Sequence, residues 1–369
     1  MTPTTFAPEP EHVMELRRQL QRFVKEKAPR QKRLQWDREH TWPRELFREI
    51  AEMGLIGLTI PAAYGGTGRD LVAAVAVIEE LSQAGAFLAG PYIHAAFYGG
   101  MNLSENGSED QKQALLPKIA RGELLLCYGL SEPNVGGDLS SVETRAEMHG
   151  DAIVINGSKR WCTGADWSDY IYCLVRSGDP AARHANLSLL LIPTETPGIS
   201  MQAIEHNNLR YTASMDVSFD NVTVGPDAIV GGRDMWNKGW QQLSGRALDV
   251  EKIEITACAY GFARAAVEEA WQYAREREQF GKPIASHQAV RHKLVTAKTK
   301  LQAARHMLYH GAWLADQGLP CSIETSMAKL FVADIGVEIG IACQQVMGAY
   351  ALSDGFDIER NLRDLLGMP

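Results

Sequence analysis

The stretch LLCYGLSEPNVGGDLSS, Leu125–Ser141, marks where the pattern of the chain changes. Upstream of it, apolar residues recur at three- and four-residue spacing, the mark of helices. From Leu124 onward, short runs rich in Val, Ile and Tyr alternate with turn residues, the mark of strands. The stretch itself passes from an apolar run into Ser-Glu-Pro and then Gly-Gly-Asp. It matches neither a Walker loop nor a GxGxxG turn. Its glycines free backbone amides to approach an anion or a planar ring, and Ser131 adds a hydroxyl. A strand followed by an Asx- or Gly-type turn accounts for the same residues.

Towards the N-terminus, HVMELRRQLQRFVKEKA (12–28), TWPRELFREIAEMGL (41–55), LVAAVAVIEELSQAG (71–85) and DQKQALLPKIARGE (110–123) read as helices. In the second, Thr41 is placed as N-cap, Pro43 just inside, and Gly54 at the end. The third is apolar nearly all round, so it is expected to be buried. Towards the C-terminus, YGLSE, AIVING, YIYCLVRS, LSLLLIP and SMDVSFDNVTV read as strands with no crossover helices between them, which argues against a parallel Rossmann sheet. Asn237–Gly348 is helical again. The expected organisation is mainly α with a central β domain: a helical domain over 1–123, a β domain over 124–232 and a helical bundle over 233–369.

The totals restrict function. The 369 residues carry 37 basic and 45 acidic side chains, a formal charge of −8, which disfavours general nucleic-acid binding. The six cysteines form no CxxC pair, so neither a zinc knuckle nor a disulfide framework is indicated. The first residues, MTPTTFAPEPEH, lack a signal-peptide pattern, and the apolar runs at 72–78 and 187–192 are too short to span a bilayer. The cytosol is the expected compartment.

Two further motifs carry chemistry. In NGSKRWCTGADWSDY (156–170), Asn156-Gly157 is a hairpin signal, and Trp161 and Thr163 lie two apart on a strand, sharing one face. An indole and a hydroxyl so placed can stack on a ring and bond its edge; ordinary core packing explains them too. In REREQFGKPIASHQAV (275–290), Arg275 and Arg277 can meet phosphates or simply form a solvated helix face. His306 and His310 have an i, i+4 metal-binding spacing, but no HExxH or third ligand accompanies them.

Taken in order and spacing, GLIGLTIPAAYGGTGRD, CYGLSEPNVGGD, GDAIVINGSKRWCTGA, REREQFGKPIASHQAV and QQVMGAYALSDGFDIERNLRD resemble the acyl-CoA dehydrogenase family across nearly the whole chain. The resemblance implies a C-terminal four-helix bundle, a β-barrel-like middle domain and an FAD cofactor. It implies that Tyr128, Leu130 and Ser131 pass along the flavin ring and that Gly136 and Gly137 allow close approach. It implies that Trp161 covers the ring and that Thr163 bonds near its reactive nitrogen. Arg277, Gln279, Phe280, Gln345 and Gly348 match positions that reach the FAD of a neighbouring protomer, so a homotetramer or heterotetramer is implied.

The implied reaction is α,β-dehydrogenation of an acyl-CoA thioester, with electrons passed to an electron-transferring flavoprotein and a place in lipid metabolism. Glu251 matches the base of members such as the isovaleryl-type enzymes, which carry it on the long helix of the bundle. Asp249, Lys252 and Gly137 match substrate-side positions, with Lys252 standing where Arg is usual. Tyr92, His94, Phe97 and Tyr98 fall where the acyl tail would lie. Most members continue past the equivalent of Pro369 through a Gly-Thr-rich turn, which in many carries the base, and a comparable segment is expected of the full gene product. An oxidase, a reductase or a monooxygenase on the same fold, or a non-catalytic subunit of a heteromer, are the alternatives.

Overall fold

The computed structural model describes residues 9–369, apart from the side chains at 246 and 247. Contacts group the chain into two compact units. One comprises the chain up to Gln35 with Asp70–Ala89 and Ile253–Pro369; the other comprises Trp36–Arg69 and Gly90–Lys252.

The second unit holds a seven-stranded sheet: β1 Leu126–Gly129, β2 Arg145–His149, β3 Ala152–Thr163, β4 Tyr170–Arg176, β5 Leu187–Pro193, β6 Ile199–Ile204 and β7 Ser214–Val224. The order is β1-β4-β2-β3-β7-β6, with β5 on the other side of the β4 pairing. β1 and β2 run parallel to β4, while the remaining pairings are antiparallel. Alternate residues of β3 and β7 (Ile153, Ile155, Cys162, Val217, Phe219) turn into one apolar core with Cys127, Ile171 and Cys173.

Local chemistry corrects two expectations. Asn156-Gly157 is not a hairpin turn. It lies inside β3 at a register shift, and the β2–β3 connection is made instead at Gly150-Asp151. Gly157 has φ +140°, and a Cβ there would fall 2.7 Å from Thr144 Cα, so the glycine serves a close strand approach. Thr41 is not an N-cap either, because the helix Arg44–Glu52 starts after Pro43. Gly54, left-handed at φ 76°, ends it as expected. Strands β2 and β6 had no clear sequence signal. β2 is short and largely charged, and both place many side chains in solvent.

The first unit packs the helices Glu11–Lys27, Leu71–Ala84, Gln288–Asp316, Ser322–Met347 and Ile358–Leu365 with the greater part of Leu248–Glu276. Leu71–Ala84 is buried on nearly every side, its start capped by Asp70, whose carboxylate accepts from the N–H of Ala73. Its two glutamates, Glu79 and Glu80, lie inside a charged knot. Arg17 reaches Glu79 at 2.7 Å and Glu80 at 2.6 Å, Arg264 reaches the same pair at 2.6 and 3.0 Å, and the Tyr309 hydroxyl donates to Glu79 at 2.6 Å. Burial opposes the charge on Glu79, but the two arginines outweigh it and hold the carboxyl below its ordinary value. The stretch Ser322–Leu352 is long and apolar enough to cross a membrane by composition. Half of its most apolar window is nonetheless buried in the protein, with Ala328, Val332, Ile339 and Cys343 among its core residues. All six cysteines are buried thiols outside any disulfide.

Candidate functional site

The residues singled out from sequence fall into two groups, one in each unit. In the sheet unit, β1 delivers the chain to Leu130 and Ser131, and a buried ion pair fixes the loop that follows. Lys159 on β3, with no exposed surface, donates to Glu132 at 2.8 Å and to the Leu130 carbonyl at 3.1 Å. Glu132 also accepts the N–H groups of Glu143 at 2.6 Å and Thr144 at 2.9 Å. Burial pushes the Glu132 carboxyl up, but Lys159 and these donors hold it below the usual range. The N–H of Arg160 donates to the Ser131 carbonyl at 2.9 Å, so the loop and β3 are tied at two points. Beyond the turn, a Cβ added at Gly136 or Gly137 would meet no atom within 4 Å. These glycines leave room on their outer side and are not needed for packing within the chain.

Trp161 stands on the same tied segment. Its φ is +62°, a left-handed value that a bulky L-residue rarely adopts, and β3 shifts register between Lys159 and Cys162. The indole is 53% exposed, with the Arg160 guanidinium 5.2 Å from its ring centre and Arg160 itself paired to Asp216 at 3.2 Å. Trp161 and Thr163 flank the fully buried Cys162, and both stay out of the core, through a bulge instead of a regular strand. The Thr163 hydroxyl lies 2.9 Å from that of Ser214. A backbone outlier that carries a large exposed ring is a feature often found at ligand sites. An open glycine edge beside a tied loop and an exposed indole fits a flat ring system.

Glu251 sits in the first turn of the helix Leu248–Glu276, just after a break at Gly245 (φ −82°, ψ −147°). The carboxyl is half-buried. Burial pushes it up to about 7, with the neighbouring Lys252 pulling the other way. Lys252 is paired to Asp249 at 3.1 Å, so its charge is already engaged on the helix surface. One turn on, Glu254 is completely buried, a second carboxyl that the EKIE spacing places beside Glu251 and that no sequence motif marks. Of the four residues expected along an acyl tail, Tyr92, His94 and Phe97 are buried and Tyr98 is half-buried. His94 bonds the Leu126 carbonyl at 2.9 Å, and burial takes its ring down to about 4, so it is neutral near pH 7.

In the helical unit, Glu278–Gln279 and Lys282–Pro283 make a minimal hairpin, turned by Phe280 and Gly281 at φ 55° and 76°. The turn holds Phe280 out in solvent at 93% exposure. Arg277 is exposed just before the hairpin, its guanidinium 5.7 Å from the Tyr350 ring centre. Gln345 accepts from Lys293 at 2.7 Å, and Gly348 (φ +61°) closes the helix with open space beside it. Among the described residues, His306 and His310 included, no cluster of three His, Cys, Asp or Glu groups able to hold a metal is found.

The chain belongs to the acyl-CoA dehydrogenase family, whose members are oxidoreductases acting on CH–CH bonds with FAD as cofactor. The models described as acyl-CoA dehydrogenase N-terminal, middle and C-terminal domain match residues 10–123, 127–222 and 237–369. An acyl-CoA dehydrogenase of Bacillus subtilis is 34% identical over 325 residues, 88% of this chain and 84% of that protein. A 3-(aryl)acrylate reductase of Clostridium sporogenes is 34% identical over 331 residues, 89% of this chain and 86% of that protein. The solved glutaryl-CoA dehydrogenase–glutaryl-CoA complex superposes with TM-score 0.93 at 28% identity, covering 99% of this chain and 92% of that one.

Proposed function

We propose that this chain dehydrogenates an acyl-CoA thioester between its α and β carbons, with Glu251 as the base that removes the α-proton. The observation that carries this is the Glu251 carboxyl: half-buried at the start of a helix and brought by burial to about 7, it is ionised often enough near neutrality to act and basic enough to take a weakly acidic proton. When bound, FAD supplies the two-electron acceptor for the β-hydrogen. Tyr128, Leu130 and Ser131, tied down through Glu132 and Lys159, would line one edge of that ring system. Thr163 would bond its edge, Trp161 would cover it, and Gly136 and Gly137 would let the backbone come close.

Arg277, Gln279, Phe280, Gln345 and Gly348 are offered to the FAD of a neighbouring protomer, Arg277 by a charge-assisted contact to pyrophosphate. Gly137, Asp249 and Lys252 are assigned to the substrate side, with Lys252 acting from within its pair with Asp249. The wider reading is a tetrameric cytoplasmic enzyme, divided at 123/124 and 232/233, that passes electrons to an electron-transferring flavoprotein.

The test is anaerobic mixing of the full gene product with a panel of straight, branched and ring-bearing acyl-CoAs while following flavin absorbance. Bleaching by at least one of them is the expected result, lost by about 10²–10⁴-fold in Glu251→Gln, which keeps the shape and removes the base. In a parallel aerobic assay, peroxide released at the rate of substrate oxidation would turn the reading to an oxidase. Bleaching at the parental rate in Glu251→Gln would place the base elsewhere.

A further inference from the structure

Tyr128 is held by a second set of contacts in the sheet unit that the flavin assignment does not account for. Its ring lies stacked on that of Tyr98, with centroids 4.1 Å apart and planes within 24°. Its hydroxyl accepts from the Asn102 carboxamide at 2.5 Å, and the same Nδ2 of Asn102 donates to the Tyr98 carbonyl at 3.3 Å. A third ring, Tyr172, stands 5.8 Å away at 51°, against the side of Tyr128. One face, one edge and the hydroxyl of Tyr128 are thus engaged, yet the residue remains half-buried.

The source of the clamp is unusual backbone. His94–Met101 is wound as a π-helix, an uncommon winding that recurs at functional places because its wider turn re-aims side chains. Its neighbours fill the other directions. A Cβ at Gly99 would meet Ile119 at 3.1 Å, and one at Gly100 would meet Ile60 at 2.8 Å. His94, at the start of the same turn, backs Tyr98 with ring centres 4.8 Å apart, and Trp167 backs His94 at 4.6 Å. Tyr98 therefore cannot swing away from Tyr128 without displacing a packed ring. Asn102 is 1% exposed and spends its amide on two oxygens, so it cannot turn freely either.

We infer that Tyr98 and Asn102 are positioning residues that fix the ring plane and the hydroxyl of Tyr128 against the flavin, and that the π-helical turn is there to bring both to it. The inference rests on the assignment of Tyr128 to the flavin. Neither residue touches the reacting atoms; each acts through Tyr128. The chemistry calls for such a fixture, since an aromatic ring that packs on another is worth most when its plane cannot rock.

The experiment compares Tyr98→Leu, Asn102→Leu, Tyr98→Phe and Tyr128→Leu in the full holoenzyme, by the shape of the visible flavin spectrum and by the FAD dissociation constant. The stacking energies of aromatic pairs predict that Tyr98→Leu and Tyr128→Leu each weaken FAD by roughly 3- to 10-fold and shift the spectrum, and Asn102→Leu, which releases the Tyr128 hydroxyl, should move both readings in the same direction. Tyr98→Phe keeps the stacked ring and should keep the parental values. If Tyr128→Leu shifts both readings while Tyr98→Leu and Asn102→Leu shift neither, the positioning inference is wrong and the flavin assignment stands. If Tyr128→Leu shifts neither, the flavin assignment of Tyr128 is wrong and the inference goes with it. Should the leucine variants fail to fold, Tyr128→Phe removes only the hydroxyl that Asn102 grips, and an unaltered spectrum and dissociation constant in it would overturn the clamp.

Discussion

Lys159→Met removes one partner from a buried pair and leaves the other in place. Glu132, only 7% exposed, would keep two backbone donors, from Glu143 and Thr144, and lose its one opposite charge. Breaking a buried ion pair in this way costs about 3–5 kcal/mol, because a charge stays desolvated without compensation. The Leu130 carbonyl also loses a donor, which adds about 1 kcal/mol. The sum, roughly 4–6 kcal/mol, is a large share of the stability of an ordinary domain.

The loss should depend on pH. In the parent, Glu132 titrates below its unfolded value, so its contribution is present above that value and disappears as the pH falls through the folded one. In Lys159→Met the charge that pulls the carboxyl down is gone, so the folded value rises and this contribution shrinks. The gap between the two proteins then narrows in acid. Equilibrium urea unfolding followed by tryptophan fluorescence, at neutral pH and near pH 5, measures both effects. Glu132→Gln combined with Lys159→Met should recover part of the loss, since no charge is then stranded. A single variant within 1 kcal/mol of the parent, or a double variant no better than the single, would refute the strut.

The rate of flavin reduction should rise with pH through about 7 as Glu251 loses its proton, and this step should be missing from a pH profile of the residual activity of Glu251→Gln. Because the Glu251 carboxyl is raised on folding, its cost grows as the pH climbs towards 7, so the glutamine variant should match or exceed the parent in stability above that pH. Trp161→Gly should relieve the left-handed backbone and hold or raise stability by about 1 kcal/mol, while oxygen consumption by the reduced enzyme increases; a clear loss of stability would mean the indole packs more than it strains. Arg277→Ala should lower FAD content in the purified assembly, and unchanged flavin content would remove the residue from the cofactor contacts.

The sheet and the long helices were legible because their signals are local. Leu71–Ala84 is apolar on nearly all faces, and Tyr170–Arg176 and Leu187–Pro193 are unbroken runs of strand formers. The edges were not. Asn156-Gly157 looks like a hairpin from its two residues alone, and only the approach of Thr144, just ahead of β2, explains it. The residues proposed to face the flavin were named through family resemblance, since an exposed Trp161 and a packed one have the same local sequence. The parts that brace them were invisible for a related reason. Lys159 and Glu132 are 27 residues apart, and Tyr98 and Tyr128 are 30 apart, so their pairing exists only once the strands have formed. Burial of Glu251 is likewise a tertiary fact; its helix pattern alone favours a solvated edge.

Phe280, held out on a two-residue turn, ties the chain's fate to its abundance. On the reading that a neighbouring protomer covers this ring, a pair of chains hides it twice. At about 1.5–3 kcal/mol for each buried phenylalanine, the two rings together shift the association constant by roughly two to four orders of magnitude. The assembled form is then favoured by mass action, and every contact that needs a neighbour is made in fewer molecules on dilution. A preparation assayed at nanomolar concentration and one assayed at micromolar concentration would then be different populations, and their cofactor content would differ before any substrate was added.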